Sequence, residues 1–311
     1  MYVTFRKPLN NVKNIIRTYC SSSANSKDTQ QRNYCIDLVK KNDFENYLCT
    51  LLVNGEIRRN AFAIRALNVE IAKIGSSVSE QHIAKMKLKF WFDSIDKCLD
   101  KDVKSYVADH PVLYEIKYIS ERHKITKAYL KRLVTARDRP PNQQFITCKD
   151  MEDYADQTVS PIYFLLLEIS GVRNLNVDHA ASHLGKAQGI TNLLRAIPYT
   201  RRSEALNIPQ EVLIKHGVSQ ERILRGKADD KGVEDCIFEV ATMAHQHLEK
   251  ARSLQEHIPK SVRPLFLPSI AVDRYLERLR KAHFQLTDQR VLQRDSMLPA
   301  ALYWNHFRLK Y

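Results

Sequence analysis

Apolar residues recur at spacings of three and four along most of the chain, with charged residues in the gaps. Cys35, Leu38 and Val39 begin the pattern, and Leu48, Leu51 and Leu52 extend it. Ile57, Ala61, Ile64, Ala66, Leu67, Ile71 and Ile74 form a second stripe, and Ile83, Met86, Leu88, Phe90, Trp91, Ile95 and Leu99 a third. A period near 3.6 places such residues on one helix face, so these segments read as amphipathic helices around a shared core. Residues 75–79 separate the second from the third, and the Ser79 hydroxyl is placed to cap the latter. His110 and Pro111 open another helix, with the proline where its missing N–H costs little and with Val112, Leu113, Ile116 and Ile119 as the apolar stripe. Residues 124–136 give the next, and Arg139, Pro140, Pro141 and Asn142 break the chain. Residues 148–170 are largely helical, with Pro161 as a point of kinking or division. Helices over 177–197, 232–257 and 272–281 complete the series, and 201–231 is the most loop-like stretch. No alternating strand pattern, internal repeat or linker interrupts residues 31–311. One all-α domain is the economical reading.

Composition sharpens this picture. Only eight glycines occur in 311 residues, which disfavours glycine-rich nucleotide loops. The net charge of +14 suits an anionic surface or partner. No zinc-finger spacing, RNP-like motif or lysine block accompanies it, so nucleic acid is not an expected partner. The six cysteines, at 20, 35, 49, 98, 148 and 236, contain no CxxC pair and read as free thiols. The longest apolar run, residues 162–167, falls far short of the roughly 20 residues that span a bilayer.

Residues 1–27 contain no acidic residue. Arg6, Lys7, Lys13 and Arg17 are spread among Val3, Phe5, Leu9, Val12, Ile15 and Ile16, and Ser21, Ser22, Ser23 and Ser26 follow. Arginine and serine without acids, on a weakly amphipathic stretch, predict a mitochondrial transit peptide over residues 1–30. Its removal takes away five basic and one acidic residue, leaving about +10.

The segment Leu184-Gly185-Lys186-Ala187-Gln188-Gly189-Ile190-Thr191-Asn192-Leu193-Leu194-Arg195-Ala196-Ile197-Pro198-Tyr199-Thr200 resembles the second signature of the squalene/phytoene synthase family. The segment from Ala63 to Ala72, which contains Arg65, Asn68 and Glu70, resembles the first. The resemblance implies an isoprenoid-synthase-like helical bundle, with two signature helices facing each other across a central cavity. It also implies that active members hold magnesium and prenyl diphosphate with aspartates in both signatures. Magnesium requires hard anionic oxygens, and carboxylates four apart share a helix face. In this chain the positions of those aspartates hold Asn68, Ala72, Ala196 and Thr200. Glu70, two residues from Asn68, points elsewhere on a helix. The expectation is a family member without catalysis, metal or cofactor. Residues 178–199 and the ending from Leu302 to Arg308 further resemble a branch of mitochondrial assembly factors for respiratory complex I. That likeness implies a matrix protein resting peripherally on the inner membrane, acting early on the membrane-subunit module, with complex I subunits or assembly intermediates as partners.

Arg65, Gln188, Asn192 and Arg195 keep the polar identities of the family. They read either as a residual anion or headgroup pocket beneath an apolar cavity, or as a buried hydrogen-bond network between helices. His179 and His183 share a face but have no evident third ligand, so satisfied helix-contact histidines are the expectation over a metal site. The aromatic and basic ending, residues 303–311, suits a membrane interface, a partner groove or a segment folded back on the domain. A lipid- or isoprenoid-binding protein, or a residual prenyltransferase using the synthase cavity, is the alternative function.

Overall fold

The computed structural model describes residues 26–311 apart from 79, 101–108, 141–142, 201–205 and 225–229. The predicted transit peptide therefore lies outside the described residues up to 25. Every regular element among the described residues is helical. In chain order these are α1 (Ser26–Asn42), α2 (Phe44–Leu51), α3 (Gly55–Ser77), α4 (Gln81–Leu99), α5 (Pro111–Arg122), α6 (Lys127–Thr135) and α7 (Cys148–Ile169). There follow α8 (Leu175–Ala196), α9 (Gln210–Lys215), α10 (Gln220–Leu224), α11 (Lys231–Ser253), α12 (Pro268–Lys281), α13 (Gln289–Leu292) and α14 (Leu298–Phe307).

The all-α expectation holds, and most predicted stripes become core. Ile64, Leu67, Ile71, Ile95, Leu113, Ile116 and Ile119 are fully buried. Pro111 starts α5 as expected, and the His110 ring accepts from the Val112 N–H at 3.2 Å. Three local expectations change. The residue capping α4 is Glu80, with no side-chain cap, and Ser79 lies outside the described residues. Helix α7 runs through Pro161 uninterrupted: the proline cannot donate to the Gln157 carbonyl, but burial against α8 holds the helix together. The stretch read as loop contains α9 and α10, each too short to show a period.

Helix α8 lies between α7 and α11 and packs closely on both. Its approach to α7 depends on two glycines one turn apart. A Cβ on Gly189 would lie 2.6 Å from the Ala155 Cβ and 2.8 Å from its Cα. A Cβ on Gly185 would lie 2.8 Å from the Ser160 backbone. The Ser160 hydroxyl links the pair, donating to Asp156 of α7 at 2.7 Å and lying 3.3 Å from the Ser182 carbonyl of α8. The Ser182 hydroxyl returns to the same Asp156 carboxylate at 2.8 Å.

A second tie joins α1, α3 and α5. Arg59 donates two bonds of 2.8 Å to Glu115, which is 1% exposed, and a further bond of 2.5 Å to Asp28. The boundary expected at residue 30 thus falls within α1, whose Asp28 is bonded into the fold.

Gly189→Val forces the α7–α8 backbones apart and is expected to lower stability by about 1–3 kcal/mol, as overpacking does. Chemical denaturation of the two proteins measures the difference, and an unchanged midpoint would refute the close-packing account.

Candidate functional site

The four positions that the family resemblance sets against metal-binding aspartates carry no carboxylate. Asn68, on α3, accepts through its Oδ1 from Arg137 Nη2 at 2.7 Å. Arg137 follows α6, and its other nitrogen donates to the Leu133 carbonyl at 2.6 Å. Both acceptors are neutral, and among the described residues no carboxylate pairs with this guanidinium. Burial lowers the Arg137 pKa, opposed by the nearby Tyr154. Ala72 and Ala196 offer no donor atom, and the Thr200 hydroxyl lies 3.3 Å from the Ala196 carbonyl, as a donor to it. Glu70 faces away from Asn68 and accepts from the Tyr34 hydroxyl of α1 at 2.8 Å. A magnesium ion needs several anionic oxygens, and these residues supply none. They do not fit the ion, and a fixed cation stands beside the first of them.

The retained polar residues behave differently from one another. Arg65 is 3% exposed and sits beside Asp43 and Tyr163. Gln188 accepts from the Tyr163 hydroxyl at 2.6 Å and donates to Asn46 Oδ1 at 3.1 Å. Asn46 in turn donates to both oxygens of Asp43, at 2.8 and 3.0 Å. Arg195 pairs with Glu45 at 2.5 Å and lies over the Tyr275 ring at 4.3 Å. Asn192 is exposed and stands apart from this set. The structure therefore joins Arg65, Gln188 and Arg195 through α2.

Reading the sequence placed Leu48, Leu51 and Leu52 in a helical stripe but missed the polar start of the short helix α2. Its first turn and cap bring Asp43, Glu45 and Asn46 against the arginines and glutamine of both signature helices. The available signal was three polar residues crowded at the start of an otherwise apolar helix. Burial raises the Asp43 pKa, with Arg65 and Asn46 opposing the shift. Tyr163 is fully buried; burial pushes its hydroxyl well above the ordinary value, and it stacks on Phe266 at 6.2 Å. Tyr163 thus occupies core space next to the second signature. Four buried polar atoms around the site have no protein partner: Arg65 Nε, Thr191 Oγ1, Arg195 Nη2 and the Tyr275 hydroxyl.

His183 meets His247 of α11, not His179, which is exposed. The two Nδ1 atoms lie 2.9 Å apart, so one donates and the other accepts. Glu152 approaches His247 Nε2 at 3.5 Å and Lys186 Nζ at 3.8 Å. Among the described residues no group of three or more His, Cys, Asp or Glu is placed to hold a metal ion.

The family model described as squalene/phytoene synthase matches residues 39–296. A Drosophila melanogaster protein named NADH dehydrogenase (ubiquinone) complex I, assembly factor 6 homolog is 56% identical over 273 residues, covering 87% of this chain and 82% of that protein. The Homo sapiens protein named NADH dehydrogenase (ubiquinone) complex I, assembly factor 6 is 38% identical over 280 residues, covering 89% and 82%. Among solved structures, a dehydrosqualene synthase in complex with ligand has a TM-score of 0.77 at 17% identity, covering 90% of this chain and 96% of its own. Squalene synthase HpnC from Alicyclobacillus acidocaldarius has a TM-score of 0.71 at 17% identity, covering 85% and 98%. These two likenesses carry the fold.

Gln188→Leu leaves the buried Tyr163 hydroxyl and Asn46 amide short of partners and is expected to cost about 1–3 kcal/mol. Adding Tyr163→Phe should recover part of that loss, and a double-mutant cycle by denaturation reads the coupling. Burial, then the neighbouring His247, depresses the His183 pKa to about 4. The unfolded chain therefore binds more protons than the folded one below the ordinary histidine value of 6.5. Stability is expected to fall as pH drops from about 6.5 towards about 4, and His183→Gln should flatten that slope in thermal melts. The matched family model and the shared fold agree: the chain belongs to the squalene/phytoene synthase family.

Proposed function

We propose that this protein is a non-catalytic assembly factor for mitochondrial respiratory complex I. It would act early, on the membrane-subunit module, from the matrix side of the inner membrane. The observation that carries the non-catalytic part is the state of the two signature helices. Asn68 is bonded to Arg137 where the family resemblance implies a metal-binding aspartate, and Ala72, Ala196 and Thr200 supply no anionic oxygen. Arg65 and Arg195 are answered from inside the protein by Asp43 and Glu45. Leaving-group ionisation needs charge stabilisation that this arrangement does not provide. The names of the relatives support the assembly role. The acid-free, serine- and arginine-bearing N-terminal residues support mitochondrial import. No described helix is long and apolar enough to cross a membrane, and the excess of positive charge favours peripheral contact with anionic lipid.

A second reading, binding of a lipid or isoprenoid without turnover, is favoured by one observation. Arg195 Nη2, the Tyr275 hydroxyl and Arg278 Nε are all buried without a protein partner near the end of the second signature. Buried donors require acceptors, and an anionic headgroup would supply them.

Cells depleted of the protein are expected to lose complex I selectively on native gels stained for NADH dehydrogenase activity, with recovery on re-expression. The purified protein is expected to show no magnesium-dependent turnover of prenyl diphosphates. Intact complex I in depleted cells would overturn the assembly role, and measurable turnover would overturn the non-catalytic reading. A lipid found by native mass spectrometry would establish the second reading beside the first.

A further inference from the structure

Helix α14 carries apolar side chains on both of its faces. Leu298 and Leu302, 2% and 1% exposed, pack with Leu267, Ile270 and Ala271 near the start of α12 and with Cys49 of α2. On the opposite side Tyr303, Trp304 and Phe307 are 68%, 58% and 76% exposed, and the preceding Met297 is 60% exposed. Positions 303, 304 and 307 share one helix face, so the aromatics form a single ridge. Scattered surface hydrophobics need no explanation, but a contiguous aromatic ridge marks a contact site.

The ridge is held outward by the fold. At the end of α14, Leu309 takes a positive φ of 53°. The Leu309 N–H bonds to the His306 carbonyl and the Lys310 N–H to the Asn305 carbonyl, a Schellman turn with leucine where glycine is usual. A left-handed leucine is strained, so the contacts beyond the turn must hold it. The turn carries Tyr311 back into the core, where its ring lies 5.1 Å from Phe266. Arg263 donates to the Leu309 carbonyl at 3.1 Å. The helix is thus fastened by leucines on one side and by Tyr311 past its end. Of the readings open for this segment, the anchor folds back while the ridge stays outside.

Charge decides what the ridge would meet. From Ser296 to Tyr311 there is no acidic residue. Arg308 and Lys310 are exposed and, among the described residues, pair with no carboxylate; Arg308 lies 5.8 Å from the Trp304 ring. Arg294, also exposed, lies over Phe44 at 4.8 Å. Tryptophan, tyrosine and phenylalanine with flanking cations match the layering of a bilayer surface, where aromatic rings sit at headgroup depth and cations meet lipid phosphates.

Resting on the peripheral-membrane reading above, we propose that α14 is the membrane-contacting element. It would lie in the interface of an anionic bilayer, with Tyr303, Trp304 and Phe307 among the headgroups and Arg308 and Lys310 on the phosphates. The chain has two tryptophans, and Trp91 is buried at 5% exposure, so Trp304 is the one placed to report lipid contact.

The test uses the full chain with vesicles of phosphatidylcholine alone and of phosphatidylcholine with cardiolipin. Cardiolipin vesicles are expected to blue-shift tryptophan emission and shield it from iodide, and phosphatidylcholine alone to do little. Tyr303→Ser with Phe307→Ser, both exposed, should leave the melting temperature unchanged and weaken co-sedimentation at least about tenfold, since two aromatic rings no longer leave water on binding. Arg308→Gln with Lys310→Gln should remove the preference for cardiolipin. Binding with unchanged Trp304 emission, as the basic N-terminal residues alone would give, overturns the α14 assignment and leaves the peripheral reading standing. No binding to either vesicle overturns the peripheral reading itself. Shielding of Trp304 only by a complex I assembly intermediate, with no lipid effect, overturns the lipid assignment in favour of a protein partner.

Discussion

The contact between α7 and α8 sets the geometry on which the rest of the site depends. At Gly185 and Gly189 the two backbones come closer than any side chain would permit. That approach puts the Tyr163 hydroxyl on Gln188, and Gln188 on Asn46 of α2. Without it, Gln188 would lose its Tyr163 donor and Ser182 its Asp156 acceptor. Helix α11 packs on the other side of α8, so the buried Gln188 of the second signature must find its partners within the protein.

Those partners change what the signature helices can do. In a magnesium site, anionic side chains and anionic ligand are balanced by the metal. Here the balance is inside the chain: arginines of the two signature helices face Asp43 and Glu45 from α2, and Arg137 lies against Asn68. Arg137 differs from the other two because its acceptors are a carbonyl and an amide. A guanidinium kept among neutral groups is electrostatically costly, and it repels a second cation at the same place. The fold of the synthases is retained, while the charges of the signature helices are answered from within the chain.

Much of this was readable from residue order. The stripes through Ile64, Leu67 and Ile71, or Leu113, Ile116 and Ile119, have the helical period, and burial against a common core is the only outlet for such faces. The two signatures and the substituted positions within them were legible only through the resemblance to the family, whereas the divergence of Glu70 from Asn68 follows from helix geometry. Helix α14 was not predicted, since the sequence LPAALYWNHF has no polar face to mark a period. Helices α9 and α10 were read as loop because six and five residues are too few to show a period.

What the sequence alone determined is local: an all-α chain and, through the family resemblance, two signature helices carrying Asn68, Ala72, Ala196 and Thr200 where that resemblance sets aspartates. Only the tertiary structure decided which residues answer the remaining charges. Glu45 lies 150 positions from Arg195 and Asn46 lies 142 from Gln188, and no periodicity spans such separations. His183 likewise meets His247 on another helix instead of its i−4 neighbour His179, because α11 packs over that face of α8. Local patterns follow from the repeat of the helix, whereas pairings between helices follow from how the helices pack, and two glycines on α8 govern the closest of those contacts here.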